Sequence, residues 1–334
     1  MSLRWIAVDC FIHAGTHKTG TKTLQAFLRE DYAKPLRGTL YVPRCGSFLD
    51  YPGHHNVAFE LNDDPRFDPA GGRLSHVVGE LRAMRPRSAC VSSETFSLLY
   101  RRPDRLAALR DAFAALGTPP RVVLYLREQT DFAESLYAEL VKHGQTATFT
   151  AFVNEIVATG AFRHDAHETY IFRYSELLDA FADVFGAENL IVRAYRATPR
   201  AWIVEDFLVN LGVATDVTLA EALPPPGPEV NERKGFHAVA RCRLGNLARV
   251  RELTADERAR LSALPAEGAP DPRFAPLDDA DAHRIAEHFA ADNALVAARW
   301  GVQVDAVRER HPGALPASAE AVRRALWSPE RLCA

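Results

Sequence analysis

Phe11-Ile12-His13-Ala14-Gly15-Thr16-His17-Lys18-Thr19-Gly20-Thr21-Lys22-Thr23-Leu24-Gln25 decides the architecture. Ala7–His13 is an apolar run of strand length, and Thr21–Leu28 has helical spacing. The residues between them contain two glycines, so the stretch reads as strand, glycine loop, helix. Such a loop exposes successive backbone N–H groups at a helix N-terminus, where the helix dipole favours an anion. Lys18 adds a full positive charge, Thr19, Thr21 and Thr23 add hydroxyls, and the glycines let the backbone come close to a ligand. Gly15 and Gly20 have the GxxxxG spacing of a nucleotide-binding loop. In that motif Lys and then Ser/Thr follow the second glycine directly. Here Thr21 intervenes before Lys22, and Lys18 lies between the glycines.

The alternation continues outward from this stretch. Ala89–Ser93 is a short apolar run, and Leu106–Leu116 is helically spaced. Arg121–Leu126 is a continuous β-branched and apolar run after a Pro-Pro pair, which reads as a strand buried on both faces. Helices are expected from about 131 to 142, over Phe149–Thr159 and over Ser175–Phe185, where Gly186 is placed to cap the last. A strand at Asn189–Tyr195 and a helix at Trp202–Leu211 follow. Strands alternating with helices predict an α/β fold, with three α/β/α layers around a mostly parallel sheet. The proline cluster at 224–228 is the clearest break. Beyond it, helical segments at His237–Val250 and Asp279–Trp300 are expected to pack back onto a single domain over 1–310, with 311–334 as a tail or docking helix.

Composition narrows the function classes. The 334 residues carry a net charge of −3, which argues against a protein that coats nucleic acid. Five scattered cysteines without a CxxC pair argue against a disulfide framework or a thiolate zinc site, and they fit a reducing compartment. His164-x-x-His167 offers two metal ligands without an evident third. No run reaches membrane length and no signal layout is visible, so a cytoplasmic location is expected.

Lys18-Thr19-Gly20-Thr21-x-Thr23 directly after a first strand resembles the 5′-phosphosulfate loop of the sulfotransferase superfamily. Lys22 departs from that pattern, since a small hydroxyl residue is commoner there. The family's second signature is a buried strand ending in Arg with a Ser eight residues on, and Arg127 and Ser135 stand in those places. Tyr195 resembles the aromatic that lines the adenine, and Arg233-Lys234-Gly235 resembles a late loop that touches the 3′-phosphate. A histidine pair, the Ser92-Ser93-Glu94 element and a late Asn293 are similar to bacterial members.

The resemblance implies a P-loop-related fold with a helical C-terminal part. It implies 3′-phosphoadenosine 5′-phosphosulfate (PAPS) as donor and 3′,5′-ADP as product, with no metal required. His17, Lys18, Thr19, Gly20, Thr21, Lys22, Thr23, Arg127, Ser135, Tyr195, Arg233 and Lys234 would hold the nucleotide. Lys18 would stabilise the leaving phosphate, and the acceptor, a small molecule or glycan, would need a base. Glu94 is the first candidate for that base, at a strand-to-loop junction, and His54 and His55 are the second. Two other readings stay open: a kinase or NTPase using Mg-ATP, which would want a strand-end Asp for magnesium, and a nucleotide-binding member without turnover.

Overall fold

The computed structural model describes residues 7–28, 39–48, 52–197, 199, 201–213, 235–266, 268–269, 271, 274, 276–277 and 279–304, and the side chains of 279–281 are not among them. The proline break at 224–228, the 311–334 tail, Arg233 and Lys234 lie outside the described residues.

The chain divides into two compact units. The first takes in the described residues within Met1–Arg127, Tyr174–Val230 and Val296–Val304. Its centre is a four-stranded parallel sheet of β1 (Asp9–His13), β2 (Ser88–Ser92), β3 (Arg121–Leu126) and β6 (Leu190–Ala194), in the order β2-β1-β3-β6. Ile12 stands opposite both Val91 and Val122, and Leu124 stands opposite Val192. β1 and β3 are thus central strands. Both their faces must be apolar, which explains why they read as unbroken hydrophobic runs.

One face presents Phe11, Cys90, Val123 and Tyr125. Against it pack Leu24 and Phe27 of α1 (Thr21–Phe27) and Ile203, Val204, Phe207 and Leu208 of α8 (Trp202–Asn210). The opposite face, with Ile12, Val122 and Leu124, is covered by α7 (Tyr174–Phe185), which packs on β3 and β6, and by α4 (Pro103–Ala114), which packs on α7. Between β1 and β2 the unit carries α2 (His55–Leu61) and α3 (Leu74–Met84), and a 3-10 helix over Glu94–Arg101 follows β2.

All four strands run the same way, so their carboxyl ends lie along one edge of the sheet. From that edge leave the loop after His13, the Ser93-Glu94 turn, Arg127 and Tyr195. Open parallel sheets bind ligands at this edge. The fold therefore collects there residues that are far apart in sequence.

The second unit takes in the described residues within Glu128–Arg173 and Asn231–Leu295. It contains α5 (Gln129–Lys142), α6 (Phe149–Thr159), a small antiparallel pair of β4 (Ala161–Arg163) and β5 (Thr169–Ile171), α9 (Phe236–Val250), α10 (Ala255–Ala263) and most of α11 (Asp279–Trp300). Glu128 caps α5 by accepting from the N–H groups of Thr130 and Asp131. Its core is aromatic: Phe152 lies against Phe162 at 4.5 Å and Phe132 against Phe172 at 4.6 Å between ring centroids. No helix among the described residues is long and apolar enough to cross a membrane.

Candidate active site at the strand ends

The loop after β1 is tied down before it turns. The N–H groups of Ala14 and Gly15 both donate to the Val123 carbonyl, at 3.0 and 3.3 Å, and Thr16 Oγ1 donates to the Tyr125 carbonyl at 2.8 Å. Thr19 is fully buried and its hydroxyl donates to the Thr16 carbonyl at 2.6 Å, so that hydroxyl shapes the loop from inside. Gly15, Lys18 and Gly20 all have left-handed backbone, with φ of 44°, 64° and 79°. The conformation is ordinary for the glycines and costs a side-chain-bearing residue such as Lys18 about 1 kcal/mol or more. Arg127 offsets this strain. Its Nη1 donates to the Lys18 carbonyl at 2.7 Å, a hydrogen bond from a charged group.

Arg127 is only 6% exposed, and its guanidinium carbon is 5.7 Å from the centroid of the Tyr195 ring. A Cβ added at Gly20 would meet Tyr195 Cε2 at 3.0 Å and its hydroxyl at 3.3 Å. Lys18, Gly20, Arg127 and Tyr195 therefore form one cluster. His17 and Lys18 are half-buried, Lys22 is exposed, and Thr21 and Thr23 are buried. Gly20→Ala is expected to lower stability by about 1–3 kcal/mol, because alanine tolerates φ near +79° poorly and Tyr195 must give way. A denaturant midpoint equal to that of the wild type would contradict this.

Two polar atoms lie beneath Gly15. His13 is completely buried, and its Nδ1 pairs with Ser92 Oγ at 2.8 Å. His13 Nε2 and Thr21 Oγ1 are both buried without a hydrogen-bond partner among the described residues, and they lie 3.3 and 3.4 Å from where a Gly15 Cβ would stand. Desolvation drives the His13 pKa down to about 4 against a smaller opposing effect of Glu94, so the ring is neutral at pH 7.

The other side of the site is built on Ser92, Ser93 and Glu94. His54 Nδ1 accepts from the Ser92 N–H at 3.1 Å, and its Nε2 faces the Pro43 carbonyl at 3.0 Å. A carbonyl only accepts, so Nε2 carries the proton and His54 is neutral. Burial, the main cause, lowers its pKa to about 4. Both its nitrogens are engaged in holding the preceding loop on β2, which leaves no lone pair for a base. His55 Nδ1 pairs with Ser93 Oγ at 2.9 Å, and its Nε2 lies 3.8 Å from Glu94 Oε2. Desolvation lowers the His55 pKa, opposed by Glu94, and the Lys22 ammonium adds a smaller lowering effect. Burial pushes the Glu94 carboxyl up. His55, His17, its own backbone N–H and the Gln25 amide together outweigh that and hold it below the usual range. At pH 7 the geometry thus presents a carboxylate beside a neutral imidazole.

Gln25, one turn after Thr21 on α1, is 3% exposed, and its Nε2 donates to Glu94 Oε2 at 3.1 Å. Neither His13 nor Gln25 stood out in the sequence beyond belonging to the loop stretch. The available signal was a polar residue at i, i+4 from Thr21 on the face of α1 that also carries core residues.

Other sequence candidates belong to the second unit. Ser135 belongs to the second unit, half-buried on α5. In that unit Asn293 makes a reciprocal amide pair with Gln129, at 2.8 and 3.1 Å. On the β4–β5 hairpin, ligand atoms of His164, Asp165 and Glu168 lie within 4.8 Å of one another. Asp165 Oδ1 there accepts from the N–H groups of His167 and Glu168 and shapes the turn.

No family model matches the chain, and no curated protein matches it. Among solved structures it is similar to a sulfotransferase from Alicyclobacillus acidocaldarius, with 20% identity and a TM-score of 0.41 over 74% of this chain and 98% of that one.

Proposed function

We propose that this chain is a sulfotransferase that moves the sulfuryl group of PAPS to an acceptor hydroxyl or amine. The observation that carries the reading is the hydrogen bond from Arg127 to the Lys18 carbonyl. The loop after β1 and Arg127 after β3 resemble the two signatures of a phosphosulfate site, and this bond joins them, with Tyr195 beside it.

The residues present fit an anionic nucleotide. Lys18 supplies charge on a strained, pre-formed loop, and the Arg127 guanidinium, held beside it by its bond to the Lys18 carbonyl, supplies a second. His13 Nε2 and Thr21 Oγ1 are buried beneath the loop without partners among the described residues, a costly state that a bound oxyanion would relieve. In the tautomer whose Nδ1 accepts from the Ser92 hydroxyl, His13 Nε2 is a donor. The donor molecule supplies an activated sulfur whose leaving group is a phosphate. Lys18 and the loop N–H groups stabilise charge growing on that phosphate. Glu94, ionised at neutral pH, takes the acceptor's proton, and the Gln25 amide holds the carboxylate's position by donating to Oε2 at 3.1 Å.

A kinase using Mg-ATP would want a strand-end Asp for magnesium; β3 is followed by Arg127, and the carboxylate after β2, Glu94, accepts from the Gln25 amide. Calorimetry decides between the readings. We expect 3′,5′-ADP to bind without metal and more tightly than Mg-ATP. Arg127→Ala should weaken it about 10- to 100-fold, the worth of one or two charge-assisted hydrogen bonds. Tighter binding of Mg-ATP, or an Arg127→Ala protein that binds as well as the wild type, would refute the assignment.

A further inference from the structure

We propose that the tip of the β4–β5 hairpin binds a divalent transition-metal ion of the zinc class through His164, Asp165 and Glu168. The site lies wholly within the second unit and does not depend on the sulfotransferase reading.

The hairpin register brings these residues together. Arg163 stands opposite Thr169, and the His164 N–H donates to the Glu168 carbonyl at 2.9 Å, so His164 and Glu168 are the next facing pair. Facing residues of an antiparallel pair put their side chains on one side of the sheet, with Cβ atoms about 4.5–5.5 Å apart. Alternation along the strands gives that side to Phe162 and Tyr170 as well, both buried, and gives the other side to exposed Arg163. Asp165 opens the turn between the strands, and its Oδ1 accepts from the N–H groups of His167 and Glu168 at 2.7 and 2.8 Å. One ligand atom each from His164, Asp165 and Glu168 then lie within 4.8 Å of one another.

Hydrogen bonding within the hairpin leaves the imidazole unexplained. His164 Nδ1 is a buried atom with no hydrogen-bond partner among the described residues, although two carboxylates stand close by. Buried polar atoms are nearly always paired, so an orphaned one points to a missing partner. The carboxylates, in contrast, are oriented. Glu168 Oε2 accepts from the Tyr170 hydroxyl at 2.7 Å, and Asp165 is fixed by its two backbone donors. Bonds of this kind hold ligating carboxylates in position around a metal.

The donor set selects the ion. Two carboxylates supply the charge that a divalent cation neutralises. The imidazole favours zinc and its neighbours over magnesium and calcium, which take all-oxygen sets. Three protein ligands leave a fourth position for water. Zinc bonds of about 2.1 Å put tetrahedral ligands about 3.4 Å apart, so the three atoms need to close by about 1 Å, a movement within side-chain torsions. The third ligand that His164-x-x-His167 lacks in sequence is thus found among the carboxylates of the turn, and His167 is not needed.

The test is calorimetric titration of the full chain with Zn²⁺, with a phosphine reductant keeping the five cysteines as thiols. The wild type should bind one equivalent that a hundredfold excess of Ca²⁺ does not displace. His164→Ala and Glu168→Gln should each weaken that binding by at least about tenfold, the smallest loss expected when even an outer-shell partner is removed. His167→Ala should bind as the wild type does. Asp165→Asn keeps an oxygen for the two backbone donors and removes the charge, so it repeats the test with the turn intact. Zn²⁺ should also raise the wild-type melting temperature, because it binds the folded state, and should not raise that of His164→Ala. Absence of saturable wild-type binding, undiminished affinity in His164→Ala or Glu168→Gln, or an equal loss in His167→Ala each overturn the site. Displacement by Ca²⁺ overturns the assigned class of metal.

Discussion

Glu94→Gln is expected to lower kcat by about 10²- to 10⁴-fold while leaving 3′,5′-ADP affinity unchanged, and Lys18→Ala is expected to lower it by about 10²- to 10³-fold. The two losses have different origins. Glu94 stands on the acceptor side in this reading, where the Gln25 amide holds its carboxylate, and an amide at that position cannot take a proton. Lys18 acts on the leaving side, and its loop conformation is fixed by the Arg127 bond to its carbonyl as well as by the flanking glycines. The pH profile separates the base candidates further. The Glu94 carboxyl is held below its ordinary 4.5, so the loss of rate that its own protonation brings begins only below that value. Steady-state rates across pH 4–8 for the wild type and both variants are the measurement. Full activity in both variants would remove the catalytic assignment and leave a protein that binds nucleotide without turning it over.

Acid should unfold the first unit over an unusually high pH window. His13 and His54 are completely or almost completely buried, and desolvation holds each near a pKa of about 4 against 6.5 for an unperturbed imidazole. The folded state resists the proton that the unfolded state accepts. The stability from each neutral ring is therefore fully present above pH 6.5, declines as pH falls below 6.5, and is gone once pH reaches about 4. A difference of this size corresponds to about 3 kcal/mol per histidine, and the pair together matches a large part of a typical domain's stability of about 5–15 kcal/mol. The depressed carboxylates Glu94, Glu80 and Asp63 lose their contributions only below their unfolded values of 4.5 or 3.8, so the two effects occupy different windows. Urea unfolding followed at pH 7.5, 6.5, 5.5 and 4.5 should show midpoints dropping steadily from 6.5 downward. A midpoint that is flat to pH 5 would mean the two rings protonate without cost.

The sheet was legible because burial on both faces forces it into the sequence. Arg121–Leu126 has no polar interruption, and its strand runs over those same residues. Phe149–Thr159 and Asp279–Trp300 also form helices with the expected limits, because their periodicity spans several turns. The β4–β5 hairpin was not legible. Strands of three residues carry too few side chains to show a period, and β4 directly continues a helix through Gly160. Ala255–Ala263 buries none of its residues, so its helix has no apolar stripe to reveal it; a capping box from Thr254 and Glu257 marks its start.

In the site, the loop and Arg127 stood out because charge and glycine at a strand end are chemically conspicuous. Their mutual bond did not stand out, since it joins positions 18 and 127. His54 and His55 are adjacent in sequence and looked equivalent. The fold separates them by giving His54 two backbone partners and turning His55 toward a carboxylate. Gln25 was invisible because its meaning lies in which end of its amide is engaged, a property no sequence carries.

β3 stops at Leu126, and the first unit resumes at Tyr174. Across that gap the Tyr174 hydroxyl donates to the Arg127 carbonyl at 2.5 Å. The two residues that flank the 128–173 segment are thus tied by one side-chain hydrogen bond. A cassette whose ends are clamped so closely imposes no new span on its host, and swapping it for a segment of different length changes the closure entropy only logarithmically. Within the second unit α5 packs on α9, so an exchanged segment would have to carry that face along with the tie at Arg127.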